Sequence, residues 1–284
     1  MNMQKAAFLI VLGVFSVIGV LIYGIENKTS SSRGDTNSVT IEKKWELPNP
    51  LNEVSGIVYM GNNKIACIQD EDGIIFIYDI EESVISKEIG FAGGGDYEAI
   101  TLVGENAYVL RSDGTIFEVT NFNGDKPEIF KYQTPLKGKL NFEGLGYEKS
   151  KNRLLIALKE RSGDDFKPIY SFDLKNKIWE KEPVYKIDFK DPVFKLLDQK
   201  ISRKMLRPSE VTVHPSTGKI FILDGIDPKL LILDSSGKPL ELHLLNIKEF
   251  PQAEGLTFGE SGEIYISNEG NGGPANILQI SLND

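Results

Sequence analysis

A short phrase built around a glutamate recurs five times, and a recurrence of this kind constrains the fold more than any local propensity because it marks copies of one structural unit. It reads Asn52-Glu53-Val54-Ser55-Gly56-Ile57, Asp96-Tyr97-Glu98-Ala99-Ile100, Asn141-Phe142-Glu143-Gly144-Leu145, Pro208-Ser209-Glu210-Val211-Thr212 and Gln252-Ala253-Glu254-Gly255-Leu256. Each glutamate stands shortly before a small or apolar residue that opens a strand-like run. Successive glutamates lie 45, 45, 67 and 44 residues apart. A four-stranded propeller blade takes about 40–45 residues, so five copies predict an all-β fold, a five-bladed β-propeller.

The strands within each unit are legible from β-branched and aromatic runs bounded by turn residues. In the first unit they are 57–59, 64–68, 74–80 and 84–89. Second strands follow at 107–110, 154–158, 220–223 and 264–267, and third strands at 115–119, 168–174, 229–233 and 276–280. The last unit has only three, which leaves a sheet edge open to wrong pairing. Residues 39–47 read as a strand, and closing the ring requires them to become the outer strand of that last blade. The interval of 67 places an insertion after the third blade. There Asp191-Pro192 gives a helix start, and Val193, Phe194, Leu197 and Ile201 recur at helical spacing. This predicts an amphipathic helix over 191–205, within an insertion of about 190–205, made basic by Lys195, Lys200, Arg203, Lys204 and Arg207.

The first 25 residues are a separate unit. Residues 6–25 form a low-polarity run of 20, and 20 helical residues reach about 30 Å, the thickness of a bilayer's hydrocarbon layer. The exit Tyr23-Gly24-Ile25-Glu26 is a poor cleavage site and no cysteine follows for lipid attachment, so residues 1–25 read as an uncleaved transmembrane signal anchor. Lys5 on the short side orients the C-terminal domain outside the cytoplasmic membrane. Residues 26–38, rich in Ser, Thr, Asn and Gly, form a flexible linker to a propeller domain over 39–284.

A net charge of −9 and a pI near 5.0 exclude sequence-independent binding to nucleic acid, whose phosphates need a basic face. Cations are better partners. Cys67, the one cysteine, sits in an apolar run and reads as a buried small hydrophobe, so neither a disulfide nor a cysteine zinc site is available. Nucleophile elbows, His-Glu-x-x-His helices and phosphate loops are absent. His214 and His243 sit in a turn and an alternating strand and do not read as general bases.

First strands are innermost in a propeller, so Glu53, Glu98, Glu143, Glu210 and Glu254 are expected around the axis at one mouth of the channel. The ends of the second strands lie beside them, which adds Asp70, Arg111, Lys159, Asp224 and Asn268 as candidate ligand-binding residues. Converging carboxylates repel unless protons or a cation neutralise them. Oxygen donors without Cys or His favour calcium. The competing reading is that each glutamate accepts backbone amides of the neighbouring blade and holds the ring together.

These phrases, together with Leu110-Arg111-Ser112-Asp113-Gly114 and Arg207-Pro208-Ser209-Glu210, resemble the bacterial SdiA-regulated (YjiK-like) family from about Trp45 to Leu282. The resemblance implies a five-bladed propeller, distantly similar to NHL-repeat proteins, with a calcium site and usually an N-terminal membrane segment. It implies no particular activity. Two functions are therefore carried forward. One is a calcium-organised binding module for a peptide, glycan or envelope protein. The alternative is a calcium-dependent hydrolase of the phytase-like or lactonase-like propeller type, with Glu143 or Glu254 as base because Gly144 and Gly255 leave room for close approach.

Overall fold

Each repeat folds into one antiparallel sheet whose first strand lies innermost and whose last lies at the rim. The structure, a computed structural model, describes residues 38–138, 140–160, 165–197, 205–270 and 272–283. The anchor and the linker up to residue 37 lie outside the described residues, and among those described no helix is long and apolar enough to cross a membrane.

Strand β1 (Val39–Glu46) opens the domain. Blade 1 is β2 (Val54–Gly61), β3 (Lys64–Gln69), β4 (Ile74–Asp79) and β5 (Val84–Gly90). Blade 2 is β6 (Tyr97–Val103), β7 (Asn106–Arg111), β8 (Thr115–Thr120) and β9 (Glu128–Gln133). Blade 3 is β10 (Phe142–Glu148), β11 (Arg153–Leu158) and β12 (Phe166–Asp173), with an outer strand split into β13 (Ile178–Trp179) and β14 (Tyr185–Asp188), both paired with β12. Blade 4 is β15 (Pro208–Val213), β16 (Ile220–Asp224), β17 (Lys229–Leu233) and β18 (Pro239–Leu244), and blade 5 is β19 (Ala253–Phe258), β20 (Ile264–Asn268) and β21 (Asn276–Leu282). The expected closure forms: β1 pairs antiparallel with β21, from Val39 opposite Leu282 to Glu46 opposite Asn276.

Apolar side chains gather in five layers, one in each seam between blades, rather than in one central mass. Ile68, Ile75 and Ile77 of blade 1 meet Ile100, Val109 and Phe117 of blade 2. Leu47, Ile57 and Cys67 meet Tyr265 and Ile277 where blade 5 returns to blade 1. Cys67 is fully buried, as its apolar setting predicts, and burial pushes its thiol pKa up. The seams also hold polar ties. Glu118 accepts from Tyr108, from Tyr132 at 2.8 Å and from Lys177 Nζ at 2.7 Å, and so joins blades 2 and 3. Within blade 4, Lys229 and Asp224, both fully buried, form an ion pair at 2.8 Å.

The insertion corrects one expectation. Asp191 does cap the start, accepting from Val193 N at 3.0 Å with Pro192 following, but the helix is a five-residue 3-10 turn, Pro192–Leu196, and Leu197 is already extended. A 3-10 turn places residues three apart on one side, which lets Phe194 and Leu197 both sink into the seam of blades 3 and 4. The remainder of the expected helix, 198–204, lies outside the described residues.

Candidate functional site

The inner strands β2, β6, β10, β15 and β19 neighbour one another in that order around the axis, and β19 returns to β2. Each carries a β-bulge at its first turn of pairing, between Val54 and Gly56, Tyr97 and Ala99, Phe142 and Gly144, Pro208 and Glu210, and Ala253 and Leu256. A bulge inserts an unpaired residue and re-aims its side chain. The residues so placed are Ser55, Glu98, Glu143, Ser209 and Glu254. Two serines thus occupy the ring position where the repeat predicts glutamates.

The serines confirm their equivalence by making the same bond. Ser55 Oγ donates to Tyr97 O at 2.6 Å and Ser209 Oγ to Ala253 O at 2.8 Å, in each case the residue before the next blade's glutamate. Glu53 then falls two residues before the ring, level with Asp96, Asn141, Arg207 and Gln252, and Glu210 falls one residue after it. Aligning the phrases on the apolar residue, Ile57 with Ile100, Leu145, Val211 and Leu256, recovers this register. Aligning on glutamate does not.

The small residues of the phrase also find their reason here. A Cβ on Gly144 would stand 2.5 Å from Val211 N, and one on Gly56 would stand 2.8 Å from Ala99 Cα. Adjacent inner strands pack backbone to backbone. The room that Gly144 and Gly255 leave is filled by the neighbouring blade, so it admits no ligand.

A cavity of about 220 Å³ opens at this end of the channel. Glu98, Glu143, Glu254 and Ser55 line it from the ring, and Glu53, Asp96, Asn141 and Gln252 from the tier before it. Asp70, Lys159 and Glu269 come from the ends of second strands. The wall therefore holds seven carboxyl groups and, among the described residues, one cation. Ser55, Asp96, Asn141, Gln252 and Glu269 are absent from the expected set, and the two-tier register is the signal that finds most of them.

Four expected members stand elsewhere. Glu210 is fully buried outside the cavity, and its Oε1 accepts from Leu145 N at 2.7 Å and Val211 N at 2.8 Å. It alone realises the interblade tie. Arg111 is turned to Asp113, with Nη2 2.7 Å from Oδ2. Asp224 is held by Lys229 and by Arg207 N at 2.8 Å. Asn268 is buried, donating to Asn276 Oδ1 at 3.0 Å. Blade 4 thus contributes nothing to the cavity wall: Ser209 is bonded to Ala253 O and Asp224 is held within the blade by Lys229 and Arg207 N.

Burial dominates the electrostatics. It pushes the carboxyl of Glu98 up, with Glu143 and Asp96 adding repulsion. Glu254 is pushed up to about 7, by burial first, with Lys159 opposing and Glu143 adding. Glu269 rises through burial, a hydrogen bond shared with Glu53 and the charge of Glu254. Asp70 rises through burial and Glu53, and its Oδ1 is a buried oxygen with no partner. Glu143 has the one cationic partner, Lys159 Nζ at 3.2 Å, yet burial still outweighs it and its pKa is raised. Burial pulls the Lys159 ammonium down, and Glu143 and Glu254 together reverse that, so it stays charged.

The mouth consequently retains protons toward neutral pH. Among the described residues no group of three or more acidic, histidine or cysteine side chains is gathered tightly enough to hold a metal ion as it stands. The donor chemistry nonetheless fits a hard cation: carboxylates, the amide oxygens of Asn141 and Gln252, the Ser55 hydroxyl and the unpartnered Asp70 Oδ1 are all oxygen donors.

Fold and site together define a five-bladed propeller with an acidic mouth built on the bulges of its inner strands. The chain belongs to the SdiA-regulated family, whose model matches residues 31–272. No curated protein matches it. Among solved structures it is similar to the glutaminyl cyclase of Myxococcus xanthus, with a TM-score of 0.60 and 12% identity over 86% of this chain and 96% of that one. It is also similar to the PQQ-bound form of aldose sugar dehydrogenase from Streptomyces coelicolor, with a TM-score of 0.52 and 10% identity over 86% and 98%. A gluconolactonase from Xanthomonas campestris gives a TM-score of 0.50 and 11% identity over 80% and 72%. At these identities the likeness is one of fold alone.

Proposed function

We propose that the protein is a calcium-binding β-propeller, held outside the cytoplasmic membrane by residues 1–25, whose acidic mouth serves as a binding module for a peptide, glycan or envelope protein. The observation that carries this reading is the cavity wall itself, seven carboxyl groups against Lys159. Repulsion of that size needs protons or a cation to offset it. Glu98, Glu143 and Glu254 of the ring, with Glu53, Asp70, Asp96 and Glu269, are the groups that would hold the ion. Calcium would supply a fixed positive charge able to anchor an anionic or carbonyl group of a partner. Because metal binding requires deprotonated ligands, it should release protons. The test is calorimetric calcium titration of the full-length protein in two buffers of different ionisation enthalpy. Binding with proton release, weakened by Glu98→Gln or Glu254→Gln, supports the reading; the absence of binding overturns it.

One observation favours the hydrolase as a second reading. Glu254 is pushed up to about 7, where a general base works best at neutral pH. Turnover of a phosphate ester or lactone that requires calcium and is lost in Glu254→Gln would establish it.

A further inference from the structure

At the far end of the inner strands lies a second and larger cavity of about 910 Å³. Its wall contrasts with that of the acidic mouth: among the described residues it contains no carboxylate. Two residues beyond the interblade packing positions, the strands carry Thr101, Thr212 and Thr257 into it. The corresponding residues of blades 1 and 3 are Val58 and Gly146. Thr257 Oγ1 accepts from Tyr59 N at 2.9 Å and keeps its own proton to donate. The hydroxyls of Thr101 and Thr212 engage no partner among the described residues.

The aromatic surface is supplied by Tyr59, Tyr147 and Phe258. Tyr59 is held flat against Tyr265, with ring centroids 5.8 Å apart and planes 3° apart. The charge comes from Lys149 and Lys151, in a 3-10 turn that joins β10 to β11. Lys151 is committed to Glu148 at 2.9 Å and Tyr185 at 2.6 Å, whereas Lys149 has no partner among the described residues. His214 Nδ1 accepts from Ser216 N at 3.3 Å and Thr217 N at 3.4 Å. Its ring packs on Phe258 at 4.7 Å. Outside the wall, Glu148 is engaged by Lys151 and by Arg153 at 2.6 Å, Glu260 by Asn62 N at 3.4 Å, and Asp234 by Ser236 N at 2.8 Å.

We propose that this second mouth binds a polyhydroxylated anion of monosaccharide size, a sugar acid or sugar phosphate. Lys149 meets the anionic group, the threonine hydroxyls meet the ligand hydroxyls, and the tyrosine rings cover its apolar face. A cavity of this volume suits a small ligand, and hydroxyl donors with one unpaired ammonium select an anion that also hydrogen-bonds along its length. The chemistry is separate from that of the acidic mouth, so either assignment can fail without the other.

The experiment is titration of the full-length protein with glucuronate, glucose 6-phosphate, glucose and hexanoate, followed by ligand-observed NMR. Binding of at least one sugar anion is expected, about tenfold tighter than glucose or hexanoate. Lys149→Ala should abolish the preference over glucose, and Thr212→Val should weaken the sugar anions by about fivefold to tenfold. Both variants are read beside their thermal unfolding, and Lys149 is exposed, so its loss leaves the fold intact. Binding of hexanoate as tight as that of glucuronate, no binding of either sugar anion, or binding indifferent to both substitutions would each overturn the proposal.

Discussion

Glu210 accepts two backbone amides through one oxygen, Oε1, while burial pushes its carboxyl well above the usual range. A protonated carboxyl with one accepting oxygen is closely mimicked by an amide. Glu210→Gln should therefore unfold within a few degrees of the parent, whereas Glu210→Ala leaves two buried N–H groups unpaired at a cost of roughly 1–3 kcal/mol each. Differential scanning calorimetry distinguishes the two, and neither should change calcium affinity. Glu254 is raised in the same direction but lines the acidic mouth. Its folded pKa of about 7 exceeds the ordinary value of 4.5, so the folded form binds the proton more tightly. The stability this gives is fully present below pH 4.5 and is lost as the pH rises through 7. Without calcium the midpoint of unfolding should fall between pH 5 and pH 8, and Glu254→Gln should flatten that fall while removing part of the calcium response. A midpoint that rises over the same window would refute the assignment.

At the scale of elements, the seams carry the stability. Phe194, 2% exposed, anchors the insertion to blades 3 and 4 together with Leu197. Phe194→Ala should cost about 3–5 kcal/mol, measured by denaturant unfolding, since it opens a hole among the buried side chains of that seam. Gly144→Ala should also destabilise, by about 1–3 kcal/mol, because its Cβ would meet the backbone of β15 at 2.5 Å. The strand pattern, the closure by β1 and the position of the insertion were all legible in the sequence, since each follows from periodicity and turn chemistry within one stretch of chain. The form of the insertion was not. Apolar spacing at 194 and 197 serves a 3-10 turn as well as an α-helix.

For the whole molecule, two opposed sets of carboxylates set the pH range. In the acidic mouth Asp70, Glu98, Glu143, Glu254 and Glu269 are raised, whereas Glu118 and Glu148 are lowered. Burial works against their ionised forms too, but Lys177, Tyr108 and Tyr132 reverse it for Glu118, and Lys151, Arg153 and Tyr185 do so for Glu148. Their contribution is present above the unfolded carboxylate range and lost as the pH falls through the folded values. Without calcium, stability should therefore peak in mildly acidic solution and fall on both sides. Saturating calcium should restore the alkaline side, by about 2.7 kcal/mol at a hundredfold excess over the dissociation constant. A profile that is unchanged by calcium would count against an ion at the mouth. The sequence by itself determined the number of blades, the order of strands and the end of the ring at which acidic residues gather, because the repeat length and the alternation of strands are local properties. Only the tertiary structure decided which acids face the channel. A bulge of one residue turns Glu98, Glu143 and Glu254 inward, puts serines in their place in blades 1 and 4, and sends Glu210 into a seam, and that register is settled by how closely neighbouring backbones pack around the axis.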